Sequence, residues 1–356
     1  MEEVFEQIER VCISANSICN LACDYCYFFN PDNHIENTKK LSTEEIFNIL
    51  ENIYQYSKSI KLKKPIKINF VGSGEPLISW REISQAVNKM HIESKTTNLK
   101  FYTVTNATLM TEDIAKEMLV LKITPSVSLD GPEEIHNLSR KYKTGTGSFQ
   151  KTMEGIEILR SVGFDVAINT TINWNLINNL DSYFQFIKDE KFSKVIFDRL
   201  VDTPKEYAEV PYDKFYETLK NIYEYKIKYE LENLEIGNIE AYKRALTGKP
   251  DKVCTMFGST CGAGINNIIY MQREVYPCGR MFGKSNWILG TLTSSLKEIQ
   301  DSMFEKSNDY ASCSSCSVRN SCVKDCIMEQ EREDYDCSSR VSFIKFMKKE
   351  IESGKI

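Results

Sequence analysis

Six short β-rich runs alternate with amphipathic helical runs over residues 10–200. RVCISAN (10–16), IKINFV (66–71), LKFYTVT (99–105), PSVSLD (125–130), FDVAINTTI (164–172) and SKVIFDRL (193–200) read as strands. LSTEEIFNILENIYQYS (41–57), WREISQAVNKMHIES (80–94), TEDIAKEMLVL (111–121), SFQKTMEGIEILRSVG (148–163) and LDSYFQFIKDEK (180–191) space their apolar residues at helical intervals. Ser42 or Thr43 ahead of Glu45 marks a capped helix start, and Gly163 marks a helix stop. Alternation of this kind requires parallel strands joined by helical crossovers. Six units fall short of a closed eightfold barrel, which leaves an open partial barrel or a doubly wound sheet. On either, ligands sit at the carboxyl ends of the strands.

Those ends share a composition. The first strand runs into SICNLACDYCYFF (17–29), which sets Cys19, Cys23 and Cys26 in the pattern C-x3-C-x2-C. The next three strands run into VGSGEP (71–76), TNATLM (105–110) and SLDGP (128–132). A single Gly-x-Gly or Asp-Gly is an ordinary turn. Aligned behind one cysteine triplet, these ends describe a ligand site.

The remaining cysteines sharpen this reading. Of 12 cysteines, four fall in residues 12–26 and eight in 254–337. The amino terminus, MEEVFEQIER, has no basic or apolar signal segment, and no run approaches the length of a membrane-spanning helix. A cytoplasmic chain is therefore expected, with its thiols used for metal or redox chemistry rather than disulfides. The net charge of −5 speaks against a nucleic-acid binder, and no membrane partner is expected. An iron–sulfur cube held by three thiols keeps one iron open to a ligand. A zinc site of the three thiolates completed by His34 is the alternative.

CNLACDYCY (19–27) is similar to the C-x3-C-x-aromatic-C signature of the radical S-adenosylmethionine (radical SAM) enzymes. SGEP (73–76) resembles that family's GGEP loop, with Ser73 in place of the first glycine, and SLDGPEEIHNLSR (128–140) resembles a segment of one large branch. The resemblance extends over nearly the whole chain. It implies an α/β fold, a partial (β/α)6 barrel, with Cys19, Cys23 and Cys26 ligating a catalytic [4Fe–4S] cluster in its mouth. It also implies that Tyr25 packs by the SAM adenine, that Ser73, Gly74 and Glu75 meet its methionine portion, and that Thr105 and Asn106 lie nearby. Ser128 and Arg140 would contact the ribose and carboxylate, and Leu200 the adenine. An ion-pairing arginine and a core leucine remain open readings of Arg140 and Leu200.

The C-terminal cysteines include Cys313-x2-Cys316-x5-Cys322-x3-Cys326, which resembles the SPASM extension of many radical SAM enzymes. That resemblance implies two auxiliary [4Fe–4S] clusters, one on Cys254, Cys261, Cys278 and Cys326, the other on Cys313, Cys316, Cys322 and Cys337. Two zinc ribbons are the alternative. Arg273 stands where the pattern has a glycine, so a distorted turn is expected there. Cys12 is expected to be a small buried hydrophobe. The division implied is a core over 1–230 and a SPASM domain over 231–356.

The activity implied is reductive cleavage of SAM, fed by a flavodoxin- or ferredoxin-type electron donor, followed by oxidation of a ribosomally made precursor peptide. A thioether or carbon–carbon crosslink is the expected product. The alternative is an anaerobic sulfatase maturase making formylglycine. The resemblance places an aspartate base directly after the cysteine of the Y-P-C segment in such maturases; YPCGRMFG has Gly279 there. Only about ten residues precede the first strand, so leader recognition is assigned to a separate leader-binding protein or to the barrel surface. The tyrosine-rich segment 201–250 offers either helix packing or a peptide-docking stripe at Tyr223 and Tyr225. A non-enzymatic iron–sulfur or zinc protein is the reading from another class, and it needs neither SGEP nor the SLDG segment.

Overall fold

A computed structural model of the protein describes residues 7–29, 40–62, 64–204, 207, 209–249, 252–254, 260–264, 266–307, 318, 322, 326, 328 and 337–356. The six expected strands are present: β1 (Arg10–Ile13), β2 (Ile66–Phe70), β3 (Leu99–Thr105), β4 (Ile123–Ser128), β5 (Ala167–Ile172) and β6 (Lys194–Arg199). They lie side by side in sequence order, each parallel to the next. The crossovers carry α1 (Thr43–Ser59), α2 (Trp80–Ile92), α3 (Glu112–Val120), α4 (Glu133–Ser139), α5 (Phe149–Ser161), α6 (Trp174–Ile177) and α7 (Leu180–Asp189). Ser42 caps α1 in a full capping box with Glu45. Beyond α5 the chain turns at Gly163, whose φ of 103° is open to glycine alone at no steric cost. Helix α4, inside the SLDG segment, was not anticipated as a helix; its seven residues are too few for a periodic signal.

Strand alternation divides the sheet into two faces. On β2, Ile66, Ile68 and Phe70 are sealed, whereas Asn69 looks into an interior cavity. On β1, Val11 and Ile13 are sealed, whereas Arg10 and Cys12 line the same cavity. This corrects the expectation for Cys12. Its thiol is half-buried rather than fully buried: period-two alternation turns it to the cavity face near Cys278, where it packs against a small apolar cluster that includes Ile269 and Met281.

The C-terminal half extends this sheet. β7 (Glu235–Ile236) pairs with β6 after α8 (Tyr212–Lys228) and precedes α9 (Gly237–Leu246). After the short β8 (Lys252–Val253) and β9 (Thr260–Cys261), β10 (Asn267–Met271) lies parallel to β1. The hairpin β10–β11 (Glu274–Tyr276) and β12 (Gly290–Thr291) complete a ten-stranded sheet, apart from which β8 and β9 pair with each other. The hairpin turn keeps left-handed backbone at both central residues, Gln272 (φ 47°) and Arg273 (φ 71°). The turn expected to be distorted is thus intact, and the Arg273 guanidinium reaches Glu45 Oε1 at 2.7 Å. Helices α10 (Leu296–Ser307) and α11 (Ser338–Glu352) close the fold.

The tyrosine stripe on α8 is helix packing. Tyr223 is buried edge-on against Phe346 of α11, and Tyr225 stacks on Phe184 of α7. Among the described residues no helix is long and apolar enough to cross a membrane.

Candidate active site

The triplet loop is strapped to the end of α4. The Ala22 amide donates to the Lys141 carbonyl (2.7 Å) and the Asp24 amide to the Ser139 carbonyl (3.1 Å). This brings Cys19, Cys23 and Cys26 beside Arg140. Burial pushes the Cys19 thiol up to about 11 and Cys23 up to about 12, and raises Cys26, with the Arg140 guanidinium working in the opposite direction on all three. Among the described residues no three His, Cys, Asp or Glu side chains converge on a single-ion site. The thiols feel one another's charge at longer range. A set of three soft sulfur donors suits an iron–sulfur group, which is larger than one ion and supplies the positive charge that buried thiolates need. His34 lies outside the described residues.

The SGEP turn packs against the start of that loop. Ser73 is buried, with its hydroxyl 3.0 Å from Ser14 Oγ and 3.2 Å from Ser17 Oγ. A side chain at Gly74 would place Cβ 2.1 Å from Asn16 Oδ1 and 2.5 Å from the Ile18 carbonyl, so only glycine permits this approach. Glu75 is buried and fully engaged. Its Oε1 accepts from Thr105 Oγ1 (2.5 Å) and the Leu77 amide (3.1 Å), and its Oε2 accepts from the Asn106 amide (2.8 Å). Thr105 and Asn106 are thereby tied to the turn, and Asn106 Nδ2 donates to Asn20 Oδ1 (3.0 Å) in the triplet loop.

Asp130 is the hub that sequence reasoning passed over, although SLDG contains it. It is fully buried, and Arg140 donates from Nε to its Oδ2 (2.9 Å) and from Nη2 to its Oδ1 (3.3 Å). The Tyr25 hydroxyl donates to Oδ2 (2.5 Å) and the Thr171 amide to Oδ1 (3.0 Å). Burial works to raise its carboxyl, but Arg140 and the other donors outweigh burial and hold it below the ordinary range. The Asp130 amide in turn donates to His136 Nδ1 (3.3 Å), and burial drives that imidazole down to about 3, so it is neutral. Tyr25 packs with Leu200 and Val210, and its ring carries the Arg140 guanidinium 5.5 Å above its centre. Ser128, at the end of β4, is half-buried two residues before Asp130.

Below this site the interior cavity, of about 260 Å³, reaches the second cysteine set. Tyr27, next in the chain to Cys26, lines it together with Cys254, Cys261, Cys278 and Cys326. Arg280, paired with Asp202 at 2.7 Å, directs Nη1 to Cys326 Sγ (3.4 Å). Cys322 packs on the main core and Cys337 sits at the start of α11, while Cys313 and Cys316 lie outside the described residues. Asp198 of β6 also faces the cavity and was not singled out from sequence; only its alternation with Phe197 and Arg199 could have shown it.

Comparison with known proteins agrees with this architecture. The radical SAM superfamily matches residues 13–183. The cysteine-type anaerobic sulfatase-maturating enzyme of Clostridium novyi is 30% identical over 275 residues, 74% of this chain and 71% of that protein. The structure of native anSMEcpe with bound AdoMet superposes with a TM-score of 0.78 at 21% identity, covering 95% of this chain and 96% of the other. Streptococcus suis SuiB bound to precursor peptide SuiA gives 0.68 at 14% identity, covering 92% and 74%. At these identities the two structures establish a shared fold.

Proposed function

The chain belongs to the radical SAM superfamily, within the maturase family that includes the anaerobic sulfatase-maturating enzymes, and we propose that it oxidises a residue of a ribosomally made peptide, forming a thioether or carbon–carbon link. When bound, the family's [4Fe–4S] cluster and SAM supply a 5′-deoxyadenosyl radical that takes a hydrogen atom from carbon. Cys19, Cys23 and Cys26 would hold the cluster. Ser73, Gly74 and Glu75 would present backbone to the methionine portion, with Thr105 and Asn106 steadying that turn. Ser128, Arg140, Tyr25 and Leu200 would border the ribose, carboxylate and adenine. The eight C-terminal cysteines would hold two further clusters in a SPASM domain over 231–356, bringing the total to three. A flavodoxin- or ferredoxin-type donor would reduce the first cluster, and a separate leader-binding protein would deliver the precursor. A cytoplasmic location fits this chemistry.

One observation carries the reading: a single cavity is lined by Tyr27, next in the chain to Cys26, and by four cysteines of the second set. A peptide residue held there would have beside it the cysteines suited to hold an electron-accepting cluster, and Tyr27, one residue along the chain from the triplet. The formylglycine reading draws on the Clostridium novyi relative, a cysteine-type anaerobic sulfatase-maturating enzyme. Against it, a Cβ at Gly279 would lie 2.9 Å from the Tyr27 hydroxyl, so the phenol fills the space an aspartate there would need.

The test is anaerobic. Iron and sulfide are counted after reconstitution, SAM and dithionite are added, and 5′-deoxyadenosine is measured with and without cysteine-containing peptides. Deoxyadenosine together with a peptide that loses two hydrogens and keeps its sulfur supports the reading. Replacement of sulfur by oxygen establishes formylglycine formation instead. Zinc in place of iron, or iron without deoxyadenosine, overturns both.

A further inference from the structure

The interior cavity holds a carboxylate that the site described above leaves unused. Asp198 projects from β6 beside Thr171 of β5, and Asn169 of β5 donates a hydrogen bond to it. Two more groups that line the cavity, one from β2 and one from β5, point to a ligand. The Oδ1 atoms of Asn69 and Asn169 have no hydrogen-bond partner, although both side chains are more than nine-tenths buried and line the cavity. Buried acceptors are almost always paired, so a cavity lined by two open carbonyl oxygens is fitted for a molecule bringing N–H or S–H donors. A peptide segment carrying a cysteine supplies both.

We propose that Asp198 is the proton acceptor of the peptide reaction, taking the thiol proton of a cysteine held against Asn69 and Asn169. This rests on the peptide-maturase reading above. The balance for a thioether is complete. One C–H and one S–H bond break and one S–C bond forms. The hydrogen atom goes to the deoxyadenosyl radical, the proton to Asp198 Oδ, and the remaining electron to an oxidised iron–sulfur cluster of the C-terminal cysteines. Among the described residues that line the cavity Asp198 is the one carboxylate; position 279 has no side chain, and nearby Asp202 is committed to Arg280.

The electrostatics agree with that placement. Burial pushes the Asp198 carboxyl up to about 7, against the pull of Arg140 and Arg10 and the hydrogen bond from Asn169, while Asp130 adds to the rise. Arg140, Asp130 and Arg10 act on it by charge, and the other titratable or charged groups lining the cavity are Cys12, Tyr27, Arg280 and the four cysteines of the C-terminal set. A carboxyl poised near neutrality both receives and releases a proton at working pH.

The experiment uses the reconstituted enzyme with SAM, dithionite and a synthetic cysteine-containing peptide, in wild type, Asp198→Asn and Asp198→Glu. Deoxyadenosine and crosslinked peptide are measured separately, and peptide binding is followed by fluorescence anisotropy. Expected for Asp198→Asn is continued deoxyadenosine formation and peptide affinity within about twofold of wild type, with crosslink per deoxyadenosine reduced by about a hundredfold. The glutamate variant regains part of the loss. In wild type that ratio falls below a pH of about 7, and in Asp198→Asn it is flat. Infrared spectra of peptide-free enzyme give a readout independent of turnover: a protonated carboxyl band that titrates near neutrality in wild type is missing from Asp198→Asn. Unchanged coupling and pH profile in Asp198→Asn, or an infrared band indifferent to the substitution, overturns the assignment while leaving the maturase reading intact. A wild type that makes no deoxyadenosine defeats the maturase reading at the first measurement. If Asp198→Asn does not fold, the wild-type titration and the glutamate variant decide.

Discussion

Replacing Asp130 by asparagine tests whether the Tyr25–Asp130–Arg140 cluster holds the SAM face of the barrel together. Asp130 is fully buried and Arg140 nearly so, and two guanidinium contacts, the Tyr25 hydroxyl and the Thr171 amide converge on one carboxylate. Removing one partner of a buried pair leaves the other charge uncompensated, at a cost of about 3–5 kcal/mol. Weakening the Tyr25 and Thr171 bonds adds to this, so the expected loss is about 4 kcal/mol or more, roughly a thousandfold in the folding equilibrium. The double variant Asp130→Asn/Arg140→Met removes the stranded charge and should recover a large part of the loss, because an apolar replacement of similar shape is often neutral. Urea unfolding of the three proteins supplies the assay, with a common slope required before midpoints are compared. The pH dependence has a defined sign. The folded carboxyl lies below its ordinary value of 3.8, so its stabilisation is complete above that value and fades as pH falls through the lower folded value. A loss under about 1 kcal/mol in Asp130→Asn, or a double variant no more stable than the single one, would refute the reasoning.

Two further outcomes follow from packing. Gly279→Asp should destabilise by about 1–3 kcal/mol through overpacking, because its Cβ would stand 2.9 Å from the Tyr27 hydroxyl; thermal melts in a Tyr27→Phe background should show a smaller loss, and an equal loss would show that the hydroxyl is not the obstacle. Tyr223→Ala should lower stability by about 3–5 kcal/mol while leaving peptide affinity unchanged, since its ring is buried against Phe346; weaker peptide binding at full stability would return the tyrosine stripe to the role of a docking surface.

The strand–helix order was legible because it is written in local periods. Each β-rich run and each amphipathic helix repeats its pattern within one element, and the α1 capping box needs only Ser42 and Glu45. The cysteine triplet was legible for the same reason, since Cys19, Cys23 and Cys26 share one loop. Helix α4 was missed because its seven residues span barely two turns. Asp130 was missed because its importance lies in Tyr25, Arg140 and Thr171, which come from three separate segments.

What the chain's order of residues determined by itself, then, is the repeated strand–helix unit, its parallel arrangement and the grouping of the cysteines into two sets. Only the tertiary structure decided that β10 returns to lie parallel to β1, that Cys254, Cys261, Cys278 and Cys326 line one cavity, that Tyr27 fills the space at Gly279, and that Asp198 faces inward with Asn69 and Asn169. The physical reason is separation along the chain. A period of two or 3.6 residues reports which side of its own element a residue occupies. It carries no information on which distant element meets that side, and Cys12 with Cys278, or Asn69 with Asp198, become neighbours only when the whole sheet has closed around its core.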